Sequence, residues 1–147
     1  MSIQGSCNCG NFKIKWHSND YQLTPRECVC RYCQSKGAMY VSKYDTRFEV
    51  IIADQSLHHI HQQGTQSAQF HECKGCDSLV FVTSDINGAL FGSINSACLE
   101  NANQFQPRVS LALSTTTAAH KKHKWRQSWC QASIHNKFRQ GATKSVT

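Results

Sequence analysis

The chain has 147 residues, of which 17% are charged and 39% hydrophobic, and its formal net charge is +7. That length fits one domain with a modest core; β-branched and aromatic residues along most of it exclude disorder throughout, and no run approaches the roughly eighteen apolar residues of a membrane span. The opening MSIQGSCNCG has no basic region followed by an apolar run, which predicts no secretory leader and a reducing, cytoplasmic setting.

In chain order, CNC at Cys7 and Cys9 comes first, followed by NFKIKW at 11–16, which alternates polar and apolar residues as a strand with one wet face does. CVCRYC at 28–33 then puts three thiols into six positions. RFEVII at 47–52 reads as a strand. LHHIH at 57–61 reads as polar side chains on an exposed strand or loop, with His58 and His59 on opposite faces and nothing of an HExxH helix. CKGC, with Cys73 and Cys76, precedes the strand SLVFVT at 78–83. Asn87-Gly88 separates that strand from GALFGSI at 88–94 and signals a hairpin. NSACLENANQF at 95–105 predicts a short helix with Ser96 as N-cap, and VSLALS at 109–114 a further strand. The pattern is that of a mostly antiparallel β domain with cysteine-bearing turns and little helix. It spans residues 1–136, and the poorly anchored tail at 137–147 is expected to be flexible.

Nine cysteines mean disulfides or metal. Thiols one or two residues apart rarely meet disulfide geometry with each other but suit a tight turn around one ion, so zinc is the expectation. Each zinc-bound cysteine is a thiolate, and two such sites lower the net charge to about +4. The remainder is uneven. Residues 1–100 carry eight Lys/Arg and nine Asp/Glu, whereas 101–147 carry eight Lys/Arg and no acid.

Seven clustered thiols divide most simply into four plus three. Cys7, Cys9, Cys73 and Cys76 would close one structural site, leaving Cys28, Cys30 and Cys33 around a second ion with one vacancy. The other division pairs Cys7 and Cys9 with two thiols of CVCRYC and splits that compact run. An open zinc position is the catalytic arrangement. Three thiolates already over-neutralise Zn²⁺, so the ion suits holding a soft thiol as thiolate better than activating water. The substrate class suggested is a small thiol or a thiol–carbonyl adduct; the alternative is that Glu27, His71 or another histidine closes the site. Cys98, in SACLE, reads as a buried thiol, and Cys130, beside Trp129, as an exposed and reactive one.

GSCNCG at 5–10, CVCRYC at 28–33 with Gly37 following, FHECKGCDS at 70–78 and a basic region ending in HKW at 123–125 resemble the glutathione-dependent formaldehyde-activating enzyme family. The resemblance spans roughly residues 4–125. It implies a two-layered, zinc-anchored β-tent fold and two zinc ions, one structural at Cys7, Cys9, Cys73 and Cys76 and one more labile at Cys28, Cys30 and Cys33 in the active site. It also implies condensation of glutathione with formaldehyde, classed by its reverse as a carbon–sulfur lyase reaction. The chain departs from the family pattern at Val29, Arg31, Gln34, Ser35 and Asp77. These changes leave the zinc ligands intact and alter the surroundings of the vacancy, where Arg31 is a candidate clamp for a substrate carboxylate.

A second reading is a non-enzymatic zinc module whose basic segment HKKHKWRQSW at 120–129 contacts nucleic acid or a protein partner. Its moderate charge weighs against nucleic acid, as does the lack of a zinc-finger helix or an RNA-binding aromatic signature. Edge strands leave monomer and homodimer open.

Overall fold

The computed structural model describes residues 2–28, 31–62, 67–111, 125 and 128–136, with the backbone alone at Cys28, Arg31, Ser110, Leu111 and Asn136. The expected end of the VSLALS strand, most of the basic segment and the tail at 137–147 lie outside the described residues.

The first half of the chain forms β1 (Ile3–Ser6), β2 (Phe12–Trp16), β3 (Arg26–Cys28), α1 (Arg31–Lys36), β4 (Met39–Val41) and β5 (Arg47–Ile52). The second half forms β6 (His58–His61), β7 (Gln69–Cys73), β8 (Ser78–Ile86), β9 (Ala89–Asn95), β10 (Val109–Leu111) and β11 (Cys130–Asn136). The protein is therefore mostly β with one short α-helix. No helix among the described residues is long and apolar enough to cross a membrane.

Period-two patterning explains the central pairing. Phe12, Ile14 and Trp16 of β2 are buried while Lys13 and Lys15 are exposed, and in β5 the buried residues are Phe48, Val50 and Ile52. The antiparallel register sets Phe12 against Ile52, Ile14 against Val50 and Trp16 against Phe48. One apolar ladder thus faces the core, where Phe48 meets Phe81 edge-on with ring centroids 5.8 Å apart. Each such side chain, fully buried, contributes about 1.5–3 kcal/mol. The β8–β9 hairpin turns at Asn87 (φ +54°) and Gly88 (φ +85°), joining Ile86 to Ala89. Two successive positive φ values are what the right-handed twist of a tight hairpin requires.

β9 organises the sheet. Along one edge it pairs with β8, and β8 with β7 and β7 with β6. The other edge is shared: Phe91 and Gly92 bond to β11, and Ile94 and Asn95 to β4. Two arms diverge from that edge, β11-β5-β2-β1 and β4-β3-β10.

Two pairings are parallel, β5 with β11 and β3 with β10. They depart from the expected antiparallel pattern because each late strand returns through a long connection instead of a hairpin. The expected helix at 95–105 is instead two 3₁₀ turns, Ser96–Cys98 and Ala102–Gln104, the first capped by Asn95, whose side chain accepts from Ala97 N at 3.2 Å. Cys130 is not exposed. It is fully buried at the β11–β9 pairing, its thiol 3.4 Å from the Gly92 carbonyl, and burial pushes its pKa up to about 11.

Candidate metal centre and adjoining cavity

CNC follows β1, and CKGC runs from the last residue of β7 to the turn before β8. The fold brings these distant segments together. The sulfurs of Cys7, Cys9, Cys73 and Cys76 all lie within 4.8 Å of one another. Cys7 and Cys73 are buried, Cys76 is half-buried and Cys9 is exposed. Backbone and side-chain donors face the sulfurs: Phe12 N lies 3.3 Å from Cys7 Sγ, Asn11 Nδ2 3.9 Å from Cys73 Sγ and Ser78 Oγ 3.1 Å from Cys76 Sγ. Asn11 is itself held by the backbone of Asp54, donating to its carbonyl at 3.1 Å and accepting from its amide at 2.7 Å. Gly75 keeps the turn tight, since a Cβ there would stand 3.1 Å from Leu57 Cδ1 and 3.3 Å from Cys9 Sγ.

The donor set fits zinc. Four thiolates at a Zn–S length of 2.3 Å around a tetrahedron stand about 3.8 Å apart, and the sulfur separations here are 3.7 Å for Cys7–Cys9 and 3.6 Å for Cys9–Cys73. Burial raises the pKa of Cys7 and of Cys73 in the metal-free cluster. At Cys76 burial acts the same way but is outweighed by hydrogen bonds from the Ser78 hydroxyl and the Cys9 amide, so its pKa is lowered. The four thiols that sequence spacing grouped together thus stand within reach of one ion.

Of the three-thiol group, the side chain of Cys33 is described, while that of Cys28 and the whole of Cys30 lie outside the described residues. Cys28 ends β3 and Cys33 sits in α1, which stops at Gly37 in the left-handed region (φ +64°), as helix C-termini commonly do. Cys33 is buried, and its sulfur lies 3.4 Å from the Tyr40 hydroxyl. Both residues line a cavity of about 520 Å³. Its apolar walls include Phe70, Val82, Trp125 and Trp129, polar side chains such as Gln22, Ser42 and Ser93 stand among them, and Arg26 is the charged residue in the described lining. Trp125 and Trp129 stack on one another, with centroids 4.4 Å apart and planes 6° from parallel. Such size and lining are those of a small-molecule site.

Arg31 begins α1, but its side chain is not among those described. Arg26 on β3 was missed in the sequence because three residues of strand between polar neighbours give no periodicity. Glu27 and His71, the candidate ligands for closing the three-thiol site, have other partners. Arg108 Nε lies 3.6 Å from the Glu27 carboxylate, and His71 is buried between Thr83 Oγ1 at 2.7 Å and His58 Nε2 at 2.9 Å. Tyr32 packs between His61, stacked at 4.0 Å, and Phe70, and its hydroxyl donates to buried Glu72. LHHIH is accordingly only half bland: His59 is exposed on β6, whereas His58 and His61 each meet a ring.

Four thiols brought together from two distant segments of a mostly β chain define a β protein with a candidate metal-thiolate centre, and Cys33 lines a cavity of its own. Residues 2–115 match the glutathione-dependent formaldehyde-activating enzyme family, and the chain belongs to that family. In fold it is similar to a structural-genomics crystal structure of a Rhodobacter sphaeroides protein, with a TM-score of 0.55 and 22% identity over 72% of this chain and 99% of that one. No curated protein matches the chain.

Proposed function

We propose that the protein is a zinc-dependent carbon–sulfur lyase-like enzyme acting on adducts of a small thiol, glutathione or similar, with formaldehyde or another carbonyl compound. The observation that carries the reading is the position of Cys33, buried in the wall of the cavity with the Tyr40 hydroxyl 3.4 Å from its sulfur. In this reading two zinc ions bind per chain. Cys7, Cys9, Cys73 and Cys76 hold the structural one, and Cys28, Cys30 and Cys33 hold the one that faces substrate. A zinc ion held by those three thiolates would supply an open coordination position suited to a soft, substrate-derived sulfur rather than to activating water.

The reaction itself is balanced without a further reagent. In the adduct RS–CH(OH)R′ the carbon–sulfur bond breaks and its electron pair leaves with sulfur. The hydroxyl oxygen then forms the second bond to carbon, and its proton is transferred to the sulfur or to solvent, giving thiol and carbonyl. Condensation is the same path reversed. Tyr40 can donate a hydrogen bond to a sulfur beside Cys33, and the aromatic walls exclude water from the bond being broken.

The test is to incubate the zinc-loaded protein with formaldehyde and a panel of low-molecular-weight thiols, following adduct formation and breakdown by NMR exchange. Rates above the metal-free control that vanish in Cys33→Ser, with the fold retained, are expected. No excess rate with any thiol would sink the proposal.

A further inference from the structure

We infer that the cavity beside Cys33 is built for a thiol adduct with an apolar body, a carboxylate at its far end and no ammonium group: a mercaptocarboxylate in place of a peptide thiol. The sulfur end of this assignment rests on the reading given under Proposed function; the selection at the far end rests on charge.

Arg26 is the charged residue in the described lining. It is the cross-strand partner of Tyr40, and directly opposed side chains on one face stand about 5 Å apart at Cβ. Arg26, Tyr40 and Cys33 thus line the same cavity, with Tyr40 paired to Arg26 by strand register and its hydroxyl 3.4 Å from the Cys33 sulfur. Glu27, the next residue, points to the other face of the strand by the two-residue alternation and has Arg108 as its partner. An exposed arginine in the lining of a cavity with aromatic and aliphatic walls is a receptor for a carboxylate.

A peptide thiol such as glutathione carries an ammonium as well as carboxylates. The chain has nine acidic residues in all, every one of them in a described segment, and none lines the cavity. The segments outside the described residues contain no Asp or Glu, so they add no carboxylate to the site whatever their course. An ammonium entering the cavity would lose water without gaining a carboxylate partner, which costs binding. The body of the ligand meets Phe70, Val82 and the stacked Trp125–Trp129 pair, surfaces that favour an aryl or alkyl group over a peptide backbone.

The test uses the full-length zinc-loaded protein and thioethers that cannot release a carbonyl: 4-(methylsulfanylmethyl)benzoate, its primary amide, the corresponding benzylamine and S-methylglutathione. Affinities are read by calorimetry and by tryptophan fluorescence. The benzoate should bind about tenfold more tightly than the amide, in line with a charge-assisted hydrogen bond, and more tightly than S-methylglutathione; the benzylamine should be weakest. Arg26→Gln should abolish the benzoate-over-amide preference and leave amide binding unchanged. Equal affinity for benzoate and amide would overturn the inference, as would S-methylglutathione as the tightest ligand or an unaltered preference in Arg26→Gln. The sulfur-free isostere 4-propylbenzoate separates this inference from the reaction. If it binds as well as the thioether, the thiol reading fails while the carboxylate selection stands; if the thioether is preferred but the Arg26 effect is missing, the reverse holds.

Discussion

Lys36 Nζ lies 2.9 Å from Asp77 Oδ1, so the helix that carries Cys33 is tied by an ion pair to the turn that carries Cys76. Asp77 holds that position at φ +57°, a conformation that glycine adopts freely and aspartate tolerates better than most residues. Two effects therefore oppose each other at one residue. Asp77→Ala loses the ion pair and keeps a strained backbone, and is expected to lower the melting temperature by a few degrees. Asp77→Gly loses the same pair but relieves the backbone, and should shift it by less than half as much. Thermal melts of both variants at equal zinc loading decide the matter; a glycine variant less stable than the alanine one would show that the turn is unstrained.

That turn also shows what the sequence reveals and what it hides. The two cysteine pairs, the β5 and β8 strands and the Asn87-Gly88 hairpin were legible because each is encoded locally, by ligand spacing, by alternation or by a turn dipeptide. The strands β3, β4 and β11 were not, being short or, as in CQASIHN, polar in composition and made strands by their neighbours. Cys130 reads as exposed from its basic surroundings, yet it is covered by the strand pairing with Gly92. The cavity is a tertiary object. Arg26, Tyr40, Phe70 and Trp129 come from four separate segments, and no one-dimensional pattern links them.

The Tyr40 hydroxyl separates chemistry from binding. In Tyr40→Phe the ring still fills the cavity wall and only the hydroxyl near Cys33 is lost. Under the proposed reaction, turnover of the adduct should fall about tenfold, the loss of one hydrogen bond to a charged sulfur. KM should change less than twofold. Steady-state kinetics read both, and a rise in KM with unchanged kcat would assign Tyr40 to binding alone.

His71 sets an acid limit on stability. Burial is the first cause that lowers its pKa to about 3, with His58 adding to it, so the folded protein keeps the ring neutral where an unfolded chain would protonate it. Above the ordinary histidine pKa of about 6.5 neither state binds the proton and His71 contributes no pH dependence. Between about 6.5 and 3 the unfolded state binds one more proton than the folded state, so stability falls with pH by up to about 1.4 kcal/mol per unit. His71→Gln should start less stable at pH 7.5, through lost packing against Phe81 and Thr83, and decline less steeply on acidification. Urea titrations at a fixed excess of zinc compare the slopes; parallel slopes would remove His71 from the account.

The two proposed zinc ions should be held unequally. The centre at Cys7, Cys9, Cys73 and Cys76 joins the turn after β1 to the turn before β8, and its sulfurs face donors from Phe12 and Asn11. Releasing an ion there removes a crosslink between distant segments and leaves four thiols packed against each other, so metal binding and folding are coupled. The proposed ion at Cys28, Cys30 and Cys33 would close little chain, because its ligands span six positions, and its proposed free coordination position would let a chelator attack it. Mild chelation is therefore expected to remove about one equivalent of zinc while circular dichroism and the melting transition hardly change. The second equivalent should leave only as the protein unfolds. Cys33→Ser should lose the first equivalent and stay folded, and Cys73→Ser should fail to fold at any zinc concentration that leaves wild type intact. Elemental analysis alongside circular dichroism reads all four outcomes. A stoichiometry of one in the fully loaded wild type, or release of both ions together with the fold, would reject the four-plus-three partition and the proposed active site with it.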